Sequence, residues 1–135
     1  LYWCCSILTD HCTRPFFFFF FNMSRSIRVA LCQMLVGSDK SQNLSKAVSM
    51  IQRAAHTEKA QLIVLPECFN APYGTKYFAE YAEPIAAGNP TYDAMVSAAK
   101  ESGVWIIAGS IPERDLSNGN LYNSCMIFNP EGLLV

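Results

Sequence analysis

Ile27, Val29 and Leu31 alternate with Arg28, Ala30 and Cys32, a period-two pattern rich in β-branched residues that predicts a first strand ending near Gln33. Gly37-Ser38-Asp39 breaks it. From Asn43 the apolar positions Leu44, Ala47, Val48, Ile51, Ala54 and Ala55 fall on one helical stripe, with Ser41 or Asn43 as the expected cap and an end near Lys59. Leu62-Ile63-Val64-Leu65 is a short unbroken apolar run closed by Pro66, which predicts a strand buried on both faces. After a loop containing Asn70, Pro72 and Gly74, Asn89-Pro90 marks a cap and first helical position, and Tyr92, Met95, Val96 and Ala99 form a second stripe ending by Gly103.

Val104 to Ala108 is predicted as another buried strand, and Leu121 to Phe128 as a third of mixed character after the turn-rich Ser117-Asn118-Gly119-Asn120. Asn129-Pro130-Glu131-Gly132 suits a tight turn, so Leu133 to Val135 are expected to start a returning strand. A domain seldom ends inside a hairpin, and the chain is therefore expected to be the truncated N-terminal part of a larger domain. Strands alternating with helices imply an α/β layered fold, the helices covering one sheet face.

Composition changes this picture at the N-terminus. Residues 1–22 hold the run Phe16 to Phe21 ahead of the first methionine, Met23, and six apolar residues are too few for a membrane helix. They lack the basic start and small-residue cleavage site of a secretory signal and the Arg/Ser richness of a mitochondrial presequence. They are expected to derive from an untranslated leader, leaving 23–135 as the body. With 51% apolar and 16% charged residues the 135-residue chain is long enough to build a core. The net charge is -1, and the ten basic residues form no patch, which argues against nucleic acid and membrane partners and for a small molecule or another protein. In the body Cys32, Cys68 and Cys125 are an odd, widely spaced set, which points to free thiols in a reducing compartment such as the cytoplasm, with the mitochondrion also open. No C-x-x-C pair occurs and His11 and His56 lack neighbouring ligands, so no metal is expected.

The candidate for chemistry is Glu67, directly after a predicted strand and Pro66. A carboxyl partly withdrawn from water at a sheet end has a raised pKa and serves as a general base near neutrality; an ordinary solvated strand-end carboxylate is the alternative. Cys68 is adjacent, but consecutive residues leaving a strand point apart, which makes it a packing residue rather than Glu67's partner. Cys32 and Cys125, inside strand patterns, are expected in the core. Tyr73, Tyr77 and Tyr81, with Phe69 and Phe78, form an aromatic loop and short helix in which packing is the commoner role. Tyr73 is the candidate for a substrate-binding place at a pocket mouth.

The segments I-R-V-A-L-C-Q (27–33), L-I-V-L-P-E-C-F-N-A-P-Y-G (62–74), I-A-G-S-I-P-E (107–113) and L-Y-N-S (121–124) resemble, in order and spacing, the nitrilase superfamily of carbon-nitrogen hydrolases, and E-C-F-N-A-P-Y-G-T-K-Y-F with Y-A-E-P-I is most similar to its omega-amidase branch. The resemblance implies an α-β-β-α sandwich of which this is the N-terminal half, a homodimer in the complete form, and Glu-Lys-Cys chemistry on a small amide without a cofactor. It places the general base on Glu67. The family's lysine and nucleophilic cysteine follow the strand beginning at Leu133, so this chain alone is expected to be inactive. The substrates implied are amides of 2-oxo dicarboxylic acids, 2-oxoglutaramate and 2-oxosuccinamate. The alternatives are another carbon-nitrogen hydrolase, such as a carbamoylase, or a non-catalytic short product acting as a dimerisation partner.

Overall fold

The computed structural model describes residues 26–135, and the expectation for the 1–22 leader lies outside them. Nine elements follow in order: β1 (Val29–Leu31), α1 (Lys40–His56), β2 (Leu62–Val64), α2 (Thr75–Tyr81), α3 (Pro90–Ser102), β3 (Trp105–Ile107), β4 (Ile111–Arg114), β5 (Leu121–Ser124) and β6 (Ile127–Phe128). The principal sheet runs β1-β2-β3-β6, with β1, β2 and β3 parallel and β6 antiparallel to β3, while β4 and β5 form a separate antiparallel ribbon.

Register explains which face is covered. Ala30, Ile63, Ile106 and Phe128 lie in one row across the sheet; this row meets Ile51, Ala47, Met95 and Ala99 of α1 and α3 in a single core. Side chains alternate faces along a strand, so the intervening rows point the other way. There Leu31 is 80% exposed and Val29, Trp105 and Ile127 are 44%, 43% and 38% exposed. The runs around Leu62 and Val104 are thus strands of a one-sided sheet in the described residues, rather than buried on both faces as their apolar runs predicted.

Three further expectations are corrected. Helix α1 starts earlier than its stripe suggests: Asp39, not Ser41 or Asn43, is the cap, its Oδ1 accepting from the Gln42 N–H at 3.0 Å. Asn43 is fully buried within the helix. The predicted strand from Leu121 to Phe128 is two strands. Leu121–Ser124 pair with β4, and the chain passes Cys125, which is exposed rather than in the core, before Met126 returns it to the principal sheet by accepting from the Ala108 N–H at 2.8 Å. Beyond β6 the expected turn closes with the Gly132 N–H donating to the Asn129 carbonyl at 2.9 Å, and Leu134 bridges back to Phe128.

Candidate active site

Glu67 sits where β2 leaves its ladder. Leu65 still donates to the Ile107 carbonyl at 2.9 Å, Pro66 has no N–H to give, and one parallel bridge from Glu67 to Ser110 carries the strand direction a step further. Between those contacts lies Gly109, at φ +50°. A Cβ placed there would stand 1.9 Å from the Pro66 carbonyl oxygen, so only glycine lets the two backbones approach this closely.

At Cys68 the chain turns through a left-handed conformation, φ +51°, with its N–H donating to Ser110 Oγ at 3.4 Å. The consequence is that neighbouring side chains part: Cys68 is 1% exposed and Glu67 is exposed. Burial, and secondarily the Glu67 charge, push the Cys68 thiol up, against a lowering by the Ser110 hydroxyl. Such a thiol is a poor source of thiolate. The withdrawal of Glu67 from water expected from its strand-end position is not met among the described residues, where its side chain is exposed.

The Glu67 carboxylate is nevertheless held. Asn123 Nδ2, on β5, donates to Oε1 at 2.8 Å across a sequence separation of 56 residues. Glu67 and Asn123 share a cavity of about 240 Å³ with Tyr73, Gly74, Thr75 and Phe78. Tyr73 is 75% exposed at this cavity, in the place a pocket-mouth residue would occupy. The other aromatics separate: Phe69 is buried in the core, while Tyr77 and Tyr81 stack edge to face at 6.4 Å and the Tyr81 hydroxyl donates to the Ser38 carbonyl at 2.9 Å.

Beneath the loop that follows Glu67 lies a polar cluster missing from the sequence reading. Asn70, Glu83 and Thr91 are buried; Asn70 Nδ2 donates to Glu83 Oε1 and to Thr91 Oγ1, both at 3.0 Å, and the Thr91 hydroxyl also donates to Glu83. Lys40 Nζ reaches Glu83 Oε1 at 3.3 Å and the Tyr81 carbonyl at 2.9 Å, and Asn43 Nδ2 reaches the Asn70 carbonyl at 3.3 Å. Pairing of this kind makes buried polar groups tolerable and helps to fix one loop conformation, while the buried Asn70 Oδ1 has no hydrogen-bond partner among the described residues. A signal existed for Asn43, which shares the helical stripe of Ala47 and Ile51. Asn123 lies in the L-Y-N-S segment that carried the resemblance, but nothing along the chain marked it as a partner of Glu67.

The carbon-nitrogen hydrolase family matches residues 28–135. The chain is 51% identical over 108 residues to the omega-amidase NIT2 of Xenopus tropicalis and 49% identical over 110 residues to the omega-amidase NIT2 of Homo sapiens, covering 80% and 82% of this chain and 37% and 38% of those proteins. Among solved structures, Saccharomyces cerevisiae Nit3, described as a member of branch 10 of the nitrilase superfamily, superimposes with a TM-score of 0.74 at 38% identity, covering 80% of this chain and 41% of that one. The chain spans little more than a third of the length of these curated relatives. With the family match extending over 108 residues from Arg28, this chain belongs to the carbon-nitrogen hydrolase family.

Proposed function

We propose that these residues form the base-bearing part of an omega-amidase, a hydrolase that releases ammonia from 2-oxoglutaramate and 2-oxosuccinamate. The observation that carries the proposal is the oriented carboxylate of Glu67 at the rim of a cavity, in a segment about half identical to omega-amidases. In the complete enzyme a cysteine and a lysine supplied by the remainder of the protein complete the set. Glu67 accepts the thiol proton as sulfur bonds to the amide carbonyl carbon, then returns that proton to nitrogen as the C–N bond breaks and ammonia leaves. Water hydrolyses the resulting thioester, Glu67 taking its proton and returning it to the departing thiolate sulfur. The lysine steadies the oxyanion in both halves. Tyr73 borders the site from which the substrate enters. The complete enzyme is proposed to be a homodimer, and the exposed apolar sheet face is the surface that its second half covers.

The test is kinetic. In the full-length protein Glu67→Gln, nearly isosteric, lowers turnover on 2-oxoglutaramate by about 100-fold or more, the lower end of what a positioned general base contributes. Residues 1–135 alone show no amidase activity, because a base without nucleophile and oxyanion donor is one member of a unit that acts non-additively. Wild-type turnover in the Gln variant, or amidase activity in the 135-residue chain, defeats the proposal.

A further inference from the structure

We infer that Asn123 is the positioning residue of the base: it fixes one oxygen of Glu67 so that the other is presented for proton transfer. This rests on the role proposed for Glu67 and adds to it a second residue from a different sheet. A glutamate side chain has three rotatable bonds, and exposed at a strand end it populates several rotamers. Proton transfer requires one of them, with an oxygen within hydrogen-bond reach of the donor, and a displacement of about 1 Å from that geometry costs on the order of 100-fold in rate.

The structure holds Glu67 at two levels. Its backbone is fixed by the bridge to Ser110 and by the contact of Gly109 with Pro66. Its carboxylate is fixed by Asn123 Nδ2 at 2.8 Å from Oε1, and among the described residues Oε2 accepts no hydrogen bond. A carboxylate only accepts, so the amide of Asn123 has to present its NH2 group, which settles its orientation. Asn123 is itself rigidly carried. It lies opposite Pro112 in the β4–β5 ladder, and Pro112 is fully buried with its carbonyl accepting from the Glu83 N–H at 3.2 Å. The anchored ribbon thus sets the position of one donor, and that donor sets one oxygen. Between two exposed side chains such a bond adds little to stability, so its effect is expected in orientation rather than in folding.

The experiment uses the full-length protein with 2-oxoglutaramate as substrate. Asn123→Ala is expected to lower kcat by about 10-fold or more while KM changes less than about 3-fold and the thermal midpoint stays within about 2 °C. Asn123→Asp keeps the shape but opposes a second carboxylate to Glu67, and is expected to fall below the Ala variant. Wild-type kcat in Asn123→Ala overturns the inference. So does a loss confined to KM, which would make Asn123 a substrate contact, or a loss accompanied by a large fall in thermal midpoint in both variants, which would make it a fold contact. Glu67→Gln measured alongside separates the two levels: normal turnover there removes the base assignment itself, whereas a crippled Glu67→Gln beside an unimpaired Asn123→Ala removes only the positioning role.

Discussion

Replacing Gly109 by alanine tests the backbone arrangement that holds Glu67. The new methyl would lie 1.9 Å from the Pro66 oxygen and 2.7 Å from that of Leu65, and both are backbone atoms with no side-chain freedom to yield. Reaching even 3.0 Å, the shortest tolerable approach, requires the two strands to part by about 1.1 Å. Forcing such overlap into a packed region costs about 1–3 kcal/mol, and the left-handed φ of +50° adds about 1–2 kcal/mol for a residue with a Cβ. The expected destabilisation is therefore about 2–5 kcal/mol, a large part of the stability of an ordinary domain. Gly119 supplies the control: it too has positive φ, +76°, but nothing lies within 4 Å of its would-be Cβ. Gly119→Ala carries only the conformational cost, about 1–2 kcal/mol. Equilibrium urea unfolding of the full-length variants reads the difference as a lower midpoint for Gly109→Ala. Its kcat falls by roughly 100-fold as well, because the displaced Pro66 carries Glu67 with it. Coincident unfolding midpoints for the two variants would refute the steric reasoning.

Two more predictions follow from buried groups. Thr91→Val leaves Glu83 without a hydroxyl donor and Asn70 Nδ2 without one of its acceptors, so it destabilises the full-length protein by about 1–3 kcal/mol in urea unfolding; a neutral result would show that the cluster beneath the loop does not hold it. In the 135-residue chain, iodoacetamide followed by peptide mass analysis is expected to label exposed Cys125 before buried Cys68. Desolvation pushes both thiols up and the thiolate is the reacting species, so labelling of Cys125 keeps accelerating as pH rises past the ordinary thiol range. Rapid native-state labelling of Cys68 at neutral pH would contradict its assignment as a packing residue.

The chain's local patterns carried the α/β class, both long helices and the strands around Val29, Ile63 and Ile106, because each is built from contacts whose period is written into consecutive residues. L-P-E likewise marked Glu67, since a proline after an apolar run ends a parallel strand wherever it lies. Three features needed the tertiary structure. The division of Leu121–Phe128 between two sheets depends on which partner each half finds, Ile111–Arg114 for one and Ile106–Ile107 for the other, and an apolar pattern names no partner. The exposure of Glu67 depends on what stands over the sheet end, a matter of distant chain rather than neighbours. The grip of Asn123 on Glu67 joins residues 56 positions apart on separate sheets. No period along a sequence encodes such a bond; it exists only once the Glu67–Ser110 bridge and the β4–β5 ladder have brought the two strand ends together.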